Sequence, residues 1–220
     1  MSKNKDEMAN SKASSKPKAR KPVQARAAET RARILDVAYE VFAEKGYDTA
    51  NTRDIAAAAG VTHTTIRYHF GSKDELWRET VRQMFQRAAE ELAFSTAEQD
   101  LSAKDRLKLF LRKYIYYCAR NTNHARIMIA ESVRGGERLD WMAENFIRPS
   151  HETINKVSSE LPAERLSGVS SVSLLYIVVA MCQLPFVLSK EVKSLYDIEM
   201  TSTDAIEAHI EAVTSLLFAK

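Results

Sequence analysis

Glycine and proline are scarce in this chain, six and five among 220 residues, so long helices with few breaks are expected. No run of alternating β-branched residues reads as a strand, and the fold class is therefore all-α. The two cysteines, Cys118 and Cys182, lie in apolar helical patterns with no ligand partners nearby. That excludes a disulfide framework and leaves buried free thiols in a reducing compartment. The five histidines show no paired spacing with Cys or acids, so no metal site is expected. Nucleophile elbow, phosphate-binding glycine loop and dinucleotide fingerprint are all missing, which argues against an enzyme and against a bound cofactor. The N-terminus has no apolar stretch of the kind a secretory signal needs. The strongly apolar run from Leu174 to Leu188 contains Gln183 and Pro185. It is also shorter than the ~20 residues of a membrane span, and reads as a helix buried on all sides. A cytoplasmic protein without membrane contact is the expectation.

The net charge of +3 conceals an asymmetry. Residues 1–28 hold eight Lys or Arg against two acids, whereas the remainder carries 24 against 27. The basic segment is rich in Lys, Ser, Ala and Asn, has no apolar periodicity, and is expected to be disordered when alone. Within it, Lys16-Pro17-Lys18-Ala19-Arg20-Lys21-Pro22 mixes cations with prolines that hold the backbone extended. Such an arm suits a DNA minor groove, and it suits a solubilising tail equally well.

The most informative stretch is TRDIAAAAGVTHTTIRYHFGSK, Thr52 to Lys73. Thr52 is placed to cap a helix whose inward residues are Ile55, Ala56 and Ala59. Gly60 stops it, Val61 plugs the turn, and Thr62 caps a second helix anchored by Ile66. His63, Thr64, Thr65, Arg67, Tyr68 and His69 make that second helix too polar for a core element, so most of its surface is free to meet a partner. Two short helices across a glycine turn, the second polar, form the helix-turn-helix pattern of DNA-binding proteins. A helix from about Thr30 to Lys45 precedes it, with Ile34, Leu35, Ala38, Val41 and Phe42 at helical spacing and Gly46 as its stop. Ser72 then caps a helix running to about Leu92.

Across residues 30–76 the chain resembles the TetR family of transcriptional regulators. The likeness is carried by a first helix ending FAEKGYD, by TRDIAAAAGV, and by YHFGSKDEL. It implies a dimeric regulator, usually a repressor, that leaves a palindromic operator when a small molecule enters its C-terminal domain. It also implies that Arg53, His63 and Thr64 reach base edges, while Thr52, Thr65, Tyr68, His69 and Lys73 hold phosphates. A helix N-terminus with an exposed hydroxyl, as at Thr62, offers backbone N–H donors for phosphate, and arginine can read guanine in a bidentate way. Members of the family commonly carry Tyr where this chain has Arg67, which leaves two roles open there, base reader or phosphate clamp. His69 has two readings as well, a phosphate contact or packing like Phe70.

Three regions are expected: a basic arm at 1–28, the DNA-binding domain at 29–75, and a helical regulatory and dimerisation domain at 76–220. In the last, helices are expected from Ser102 to Arg120, around Ala125–Arg134, and from near Asp140 to a kink or break at Pro149. His151 to Ser159 is expected to continue in helix, followed by a loop from Leu161 to Gly168. Helices at about Ser170–Val192, bent at Pro185, and Thr203–Ala219 close the chain. Phe110, Tyr114, Tyr117, Met128, Trp141, Met142, Phe146, Met181 and Phe186 supply apolar material for a pocket that takes an apolar or aromatic effector. The alternative is a domain that binds a protein partner instead. The helix around Leu174–Met181, together with Ile206, Ile210, Val213 and Leu217, offers faces for a homodimer through the last two helices.

Overall fold

Helix α1, Val23–Thr49, opens the computed structural model, which describes residues 23–152 and 169–218. It begins about two turns before the expected start at Thr30, so residues 23–28 are helical rather than part of an arm. Residues 1–22 of the expected arm lie outside the described residues. Ile34, Leu35, Ala38 and Phe42 are buried as their spacing requires. Gly46, at φ 71° and ψ 167°, interrupts the helical path where the stop is expected, a conformation a side chain would strain.

Helices α2, Thr52–Ala58, and α3, His63–Phe70, form the helix-turn-helix, and α4, Lys73–Leu92, follows directly. Asn51, not Thr52, is the cap of α2: its side chain accepts from the Arg53 N–H at 2.9 Å. Thr62 and Ser72 cap α3 and α4 as expected. Leu76, Trp77, Thr80, Val81 and Met84 bury the inner face of α4. That helix runs without interruption across the expected domain boundary at residue 75. The first core, containing Ile34, Phe42, Ile55, Ile66 and Trp77, also takes in Ile127 and Met142 from farther along the chain. The two halves thus share one packed core, and a displacement on either side is felt on the other.

A short helix, α5, Thr96–Gln99, has no counterpart among the expected elements, although Ser95 and Glu98 form a complete capping box around it. Helix α6, Ala103–Arg120, starts from Ser102 as expected. Helix α7, Thr122–Arg134, begins ahead of the expected Ala125 and ends at Gly135. Helix α8, Glu137–Met142, begins before Asp140 and passes into a π turn over Ala143–Ile147. Pro149 does not break it, and helical residues continue to 152. A proline lacks its N–H and crowds the carbonyl four residues back, which here belongs to Asn145, inside the π turn. Asn145 Nδ2 donates to the Trp141 carbonyl at 2.7 Å, and Ser150 Oγ to the Phe146 carbonyl at 2.8 Å. The expected stretch to Ser159 and the loop to Gly168 lie outside the described residues.

The chain closes with α9, Ser171–Val187, α10, Ser189–Tyr196, and α11, Thr203–Phe218. The expected bend at Pro185 falls instead at Leu188, where α9 and α10 meet at 64°. Pro185 leaves the Met181 carbonyl without its helical donor, and His209 Nε2 of α11 donates to that carbonyl at 2.8 Å. The helix therefore continues through the proline at little cost. Among the described residues no single helix is long and apolar enough to cross a membrane.

A second core joins Leu107, Leu111, Ile115 and Cys118 of α6, Cys182 and Phe186 of α9, and Ile206, Ile210 and Val213 of α11. Both thiols are buried and unbridged. Burial pushes Cys118 far up, with the neighbouring Cys182 adding to the effect. Cys182 is pushed up to about 12, so neither is a reactive thiolate. Ile206, Ile210 and Val213 thus face this core and Leu217 packs against it, which corrects their assignment to a dimer face. Helical spacing reveals an apolar face without saying what covers it.

Candidate nucleic-acid interface

Two buried anchors, Ile66 and Phe70, hold α3 against the first core, so the opposite face of the helix is turned outward. Thr62, Thr64, Arg67 and Tyr68 are exposed, Tyr68 by 83%, while His63, Thr65 and His69 are half-buried. On α2, Arg53 is exposed and Thr52 half-buried. A tyrosine so exposed buries little of its ring in the fold, which suits a side chain kept for a partner.

The turn brings the two helix starts together. Gly60, at φ 63°, lets the chain reverse, and the Val61 N–H returns to the Ala56 carbonyl at 2.9 Å. Arg33 Nε of α1 donates to the Ala59 carbonyl at 2.9 Å and ties off the end of α2. Thr52 Oγ1 and His63 Nε2 then lie 3.1 Å apart, linking the first residues of α2 and α3. The Thr62 hydroxyl accepts from the Thr65 N–H at 3.2 Å and pairs with the Thr65 hydroxyl at 2.9 Å. Both helices accordingly present their positive N-terminal ends on one side, beside Arg53, Thr64 and Arg67.

Lys73, at the first turn of α4, is less free than the sequence suggests. Its Nζ donates to the Asp48 carbonyl at 3.2 Å and lies 4.5 Å from the centroid of the Tyr47 ring. Burial first, and then the charge of Arg138, lower its affinity for a proton. His69 lies edge-on to Tyr68 at 5.1 Å and tilted against Phe70 at 6.1 Å. It therefore packs, while keeping part of its ring accessible. Sequence alone does not single out Asn51, Arg33 or Tyr47. Asn51 stands beside an equally good cap, and the other two act across distances no local pattern encodes.

The nine pocket candidates fall into separate groups. Met142 is buried in the first core, with Met128, Trp141 and Phe146 packed against it. Tyr117 and Phe186 belong to the second core, with Tyr114 and Met181 beside it. Phe110 stacks on Tyr114 at 5.8 Å. Tyr114 is hydrogen-bonded by Gln183, and its burial pushes the phenol well above its ordinary value. A polar cleft of about 350 Å³ lies elsewhere, lined by Asp36, Tyr39, Glu40, Arg87 and residues 120–123, and it includes none of the nine. Among the described residues no cluster of three or more metal-binding side chains occurs.

Residues 34–80 match the family of bacterial regulatory proteins of the tetR family. The HTH-type transcriptional regulator AcrR of Shigella flexneri is 46% identical over 53 residues, 24% of this chain and 25% of that protein. The fatty acid metabolism regulator protein of Bacillus subtilis is 32% identical over 96 residues, 42% of this chain and 47% of that protein. The chain thus spans a quarter to about half the length of these curated relatives. In three dimensions the likeness extends much farther. The crystal structure of AibR in complex with isovaleryl coenzyme A and operator DNA superposes with a TM-score of 0.66 at 15% identity, covering 86% of this chain and 98% of that one. At that identity the likeness is one of fold.

Proposed function

We propose that this chain, a TetR-family regulator by the domain it carries at residues 34–80, represses transcription as a homodimer that leaves a palindromic operator when a small molecule binds its C-terminal half. The observation that carries this reading is the polar, outward face of α3, with the starts of α2 and α3 pinned together by Thr52 and His63. Arg53, His63 and Thr64 are assigned to base edges, and Thr52, Thr62, Thr65, Tyr68, His69 and Lys73 to phosphates. Arg67, one turn from His63 on the same face, is assigned to either role until its variant is measured.

The dimer is assigned to the outer side of α9, where Val172, Tyr176, Ile177 and Leu184 are exposed, Tyr176 by 60% and Ile177 by 50%, with Leu188 exposed just past its end. Leu216 of α11 is 70% exposed as well. Such a row of apolar side chains is a liability for a lone chain and an asset for a two-fold interface. Entry of an apolar or aromatic effector is assigned to the layer between α6 and α9, where the Tyr114–Gln183 pair offers one polar handle among Phe110, Tyr117, Met181 and Phe186. A fatty acid regulator among the relatives, and AibR with its acyl-coenzyme A, support an effector with an apolar part. The close packing of the described C-terminal residues favours a second reading, in which that half meets a protein partner.

Selection of duplexes from a random pool by the full chain tests the first reading, followed by titration of the complex with fatty acids and acyl-coenzyme A thioesters. Recovery of a palindrome that one of these ligands releases supports it. A pool that yields no enriched sequence rejects DNA reading, and release by none of the ligands rejects this effector class.

A further inference from the structure

One ring at the junction of the two halves carries two cations. Tyr47, beside the break in α1, lies edge-on to Trp77 of α4 at 6.1 Å. The Lys73 ammonium is 4.5 Å from its centroid and the Arg138 guanidinium 4.0 Å. Lys73 belongs to the assigned phosphate contacts, whereas Arg138 comes from α8, in the other half of the chain. Arg138 also stands 5.6 Å from the centroid of Trp77. From behind, its Nε donates to Glu131 Oε2 of α7 at 3.0 Å. Glu131 is only 4% exposed. A carboxylate so deep demands a fixed partner, so the guanidinium is held in one place where a surface arginine would wander.

We propose that Arg138 is a positioning residue for DNA reading: anchored on buried Glu131, it clamps Tyr47 and Trp77 and so sets the angle at which the helix-turn-helix leaves the junction of α1 and α4. The proposal rests on the DNA-binding reading above and deepens it. Helix α3 passes into α4 through Gly71 and Ser72 alone, so the seat of the first turn of α4 decides where α3 lies. Two reading helices in a dimer must match half-sites about 34–36 Å apart. Binding to random DNA makes no such demand, because phosphates alone supply it. A loosened clamp therefore costs operator affinity and leaves random-DNA affinity in place.

The test compares full-length wild type, Arg138→Met and Lys73→Ala on the duplex that wild type selects and on its scrambled counterpart. Arg138→Met keeps the apolar stem and removes the charge and the fork. It should weaken binding to the selected duplex about tenfold while binding to the scrambled one stays within about twofold. Lys73→Ala should weaken both. A merely structural Arg138 would lower the melting temperature and leave the ratio of the two affinities unchanged. A folded Arg138→Met with wild-type affinity, or with equal losses on both duplexes, overturns the proposal. If circular dichroism shows that variant unfolded, Arg138→Lys carries the test, since it keeps a charge over the ring and gives up the fork. A smaller loss confined to the selected duplex supports the clamp, and no loss or an equal loss on both overturns it. Failure of wild type to prefer any duplex is a different result, and removes the DNA-binding reading itself.

Discussion

Acid should loosen this chain at His124, and replacing that residue should remove the effect. His124 lies in the first turn of α7, its ring edge-on to Phe85 of α4 at 5.0 Å and to Tyr117 of α6 at 5.6 Å. Its Nδ1 is 2.6 Å from the Tyr117 hydroxyl. Burial keeps that phenol protonated, so the hydroxyl donates and the imidazole nitrogen accepts. A protonated ring would lose the acceptor and carry its charge among aromatic groups. Burial accordingly pushes the imidazole down from 6.5 to about 4. In the unfolded chain the value near 6.5 returns. Between these two values the unfolded state binds more protons than the folded one, so stability rises with pH across that window and is fully present above it. Acidification to about pH 4.5 should cost the wild type about 2.5 kcal/mol through this one group. The assay is denaturant unfolding of wild type and His124→Gln from about pH 7.5 to about pH 4.5. Carboxylates titrate in both proteins, so the difference between the two curves isolates His124. Wild type should lose stability relative to the variant as pH falls. Two curves that stay parallel would refute the reasoning.

Four other perturbations address the assigned surfaces and the basic N-terminal segment. Ile177→Glu puts a charge in the middle of the exposed row on α9 and should shift the chain from dimer to monomer in sedimentation at micromolar concentration; an unchanged dimer would move the interface elsewhere. Deleting residues 1–22 should weaken binding to operator and random DNA alike and flatten the salt slope by about 0.9 for each phosphate the arm no longer neutralises. Arg53→Ala should instead cost the operator ~1–3 kcal/mol more than random DNA. Arg67→Ala distinguishes its two roles, since equal loss on both duplexes marks a phosphate clamp.

The reading head is legible in the sequence because its signals are local. Gly60 at positive φ, Thr62 as cap and Ile66 as anchor lie within a few residues of one another, and each does in the fold what its residue type suggests. Asn51 displaces Thr52 as cap because two adjacent polar residues compete for one position, and it is Asn51 that is extended and accepts from the Arg53 N–H. The prolines mislead for a different reason. At Pro185 the abandoned Met181 carbonyl is taken by His209, from another helix, and ahead of Pro149 the chain passes through a π turn that no composition announces. Periodicity finds the apolar faces of α9 and α11 without telling inward from outward, so Ile206 and Ile210 read as interface and are core. The aromatic and Met residues of the middle helices suffer the same ambiguity and serve two cores. Arg138 and Tyr47 meet only in the folded chain.

The central claim is that two copies of α3 read one palindrome together. Its most direct measurement is the stoichiometry and footprint of the full chain on its selected duplex, by analytical ultracentrifugation and hydroxyl-radical cleavage. The account requires two chains per duplex and two protected half-sites centred about 34–36 Å apart on one face of the DNA. One chain per duplex, or a single protected half-site, would contradict it.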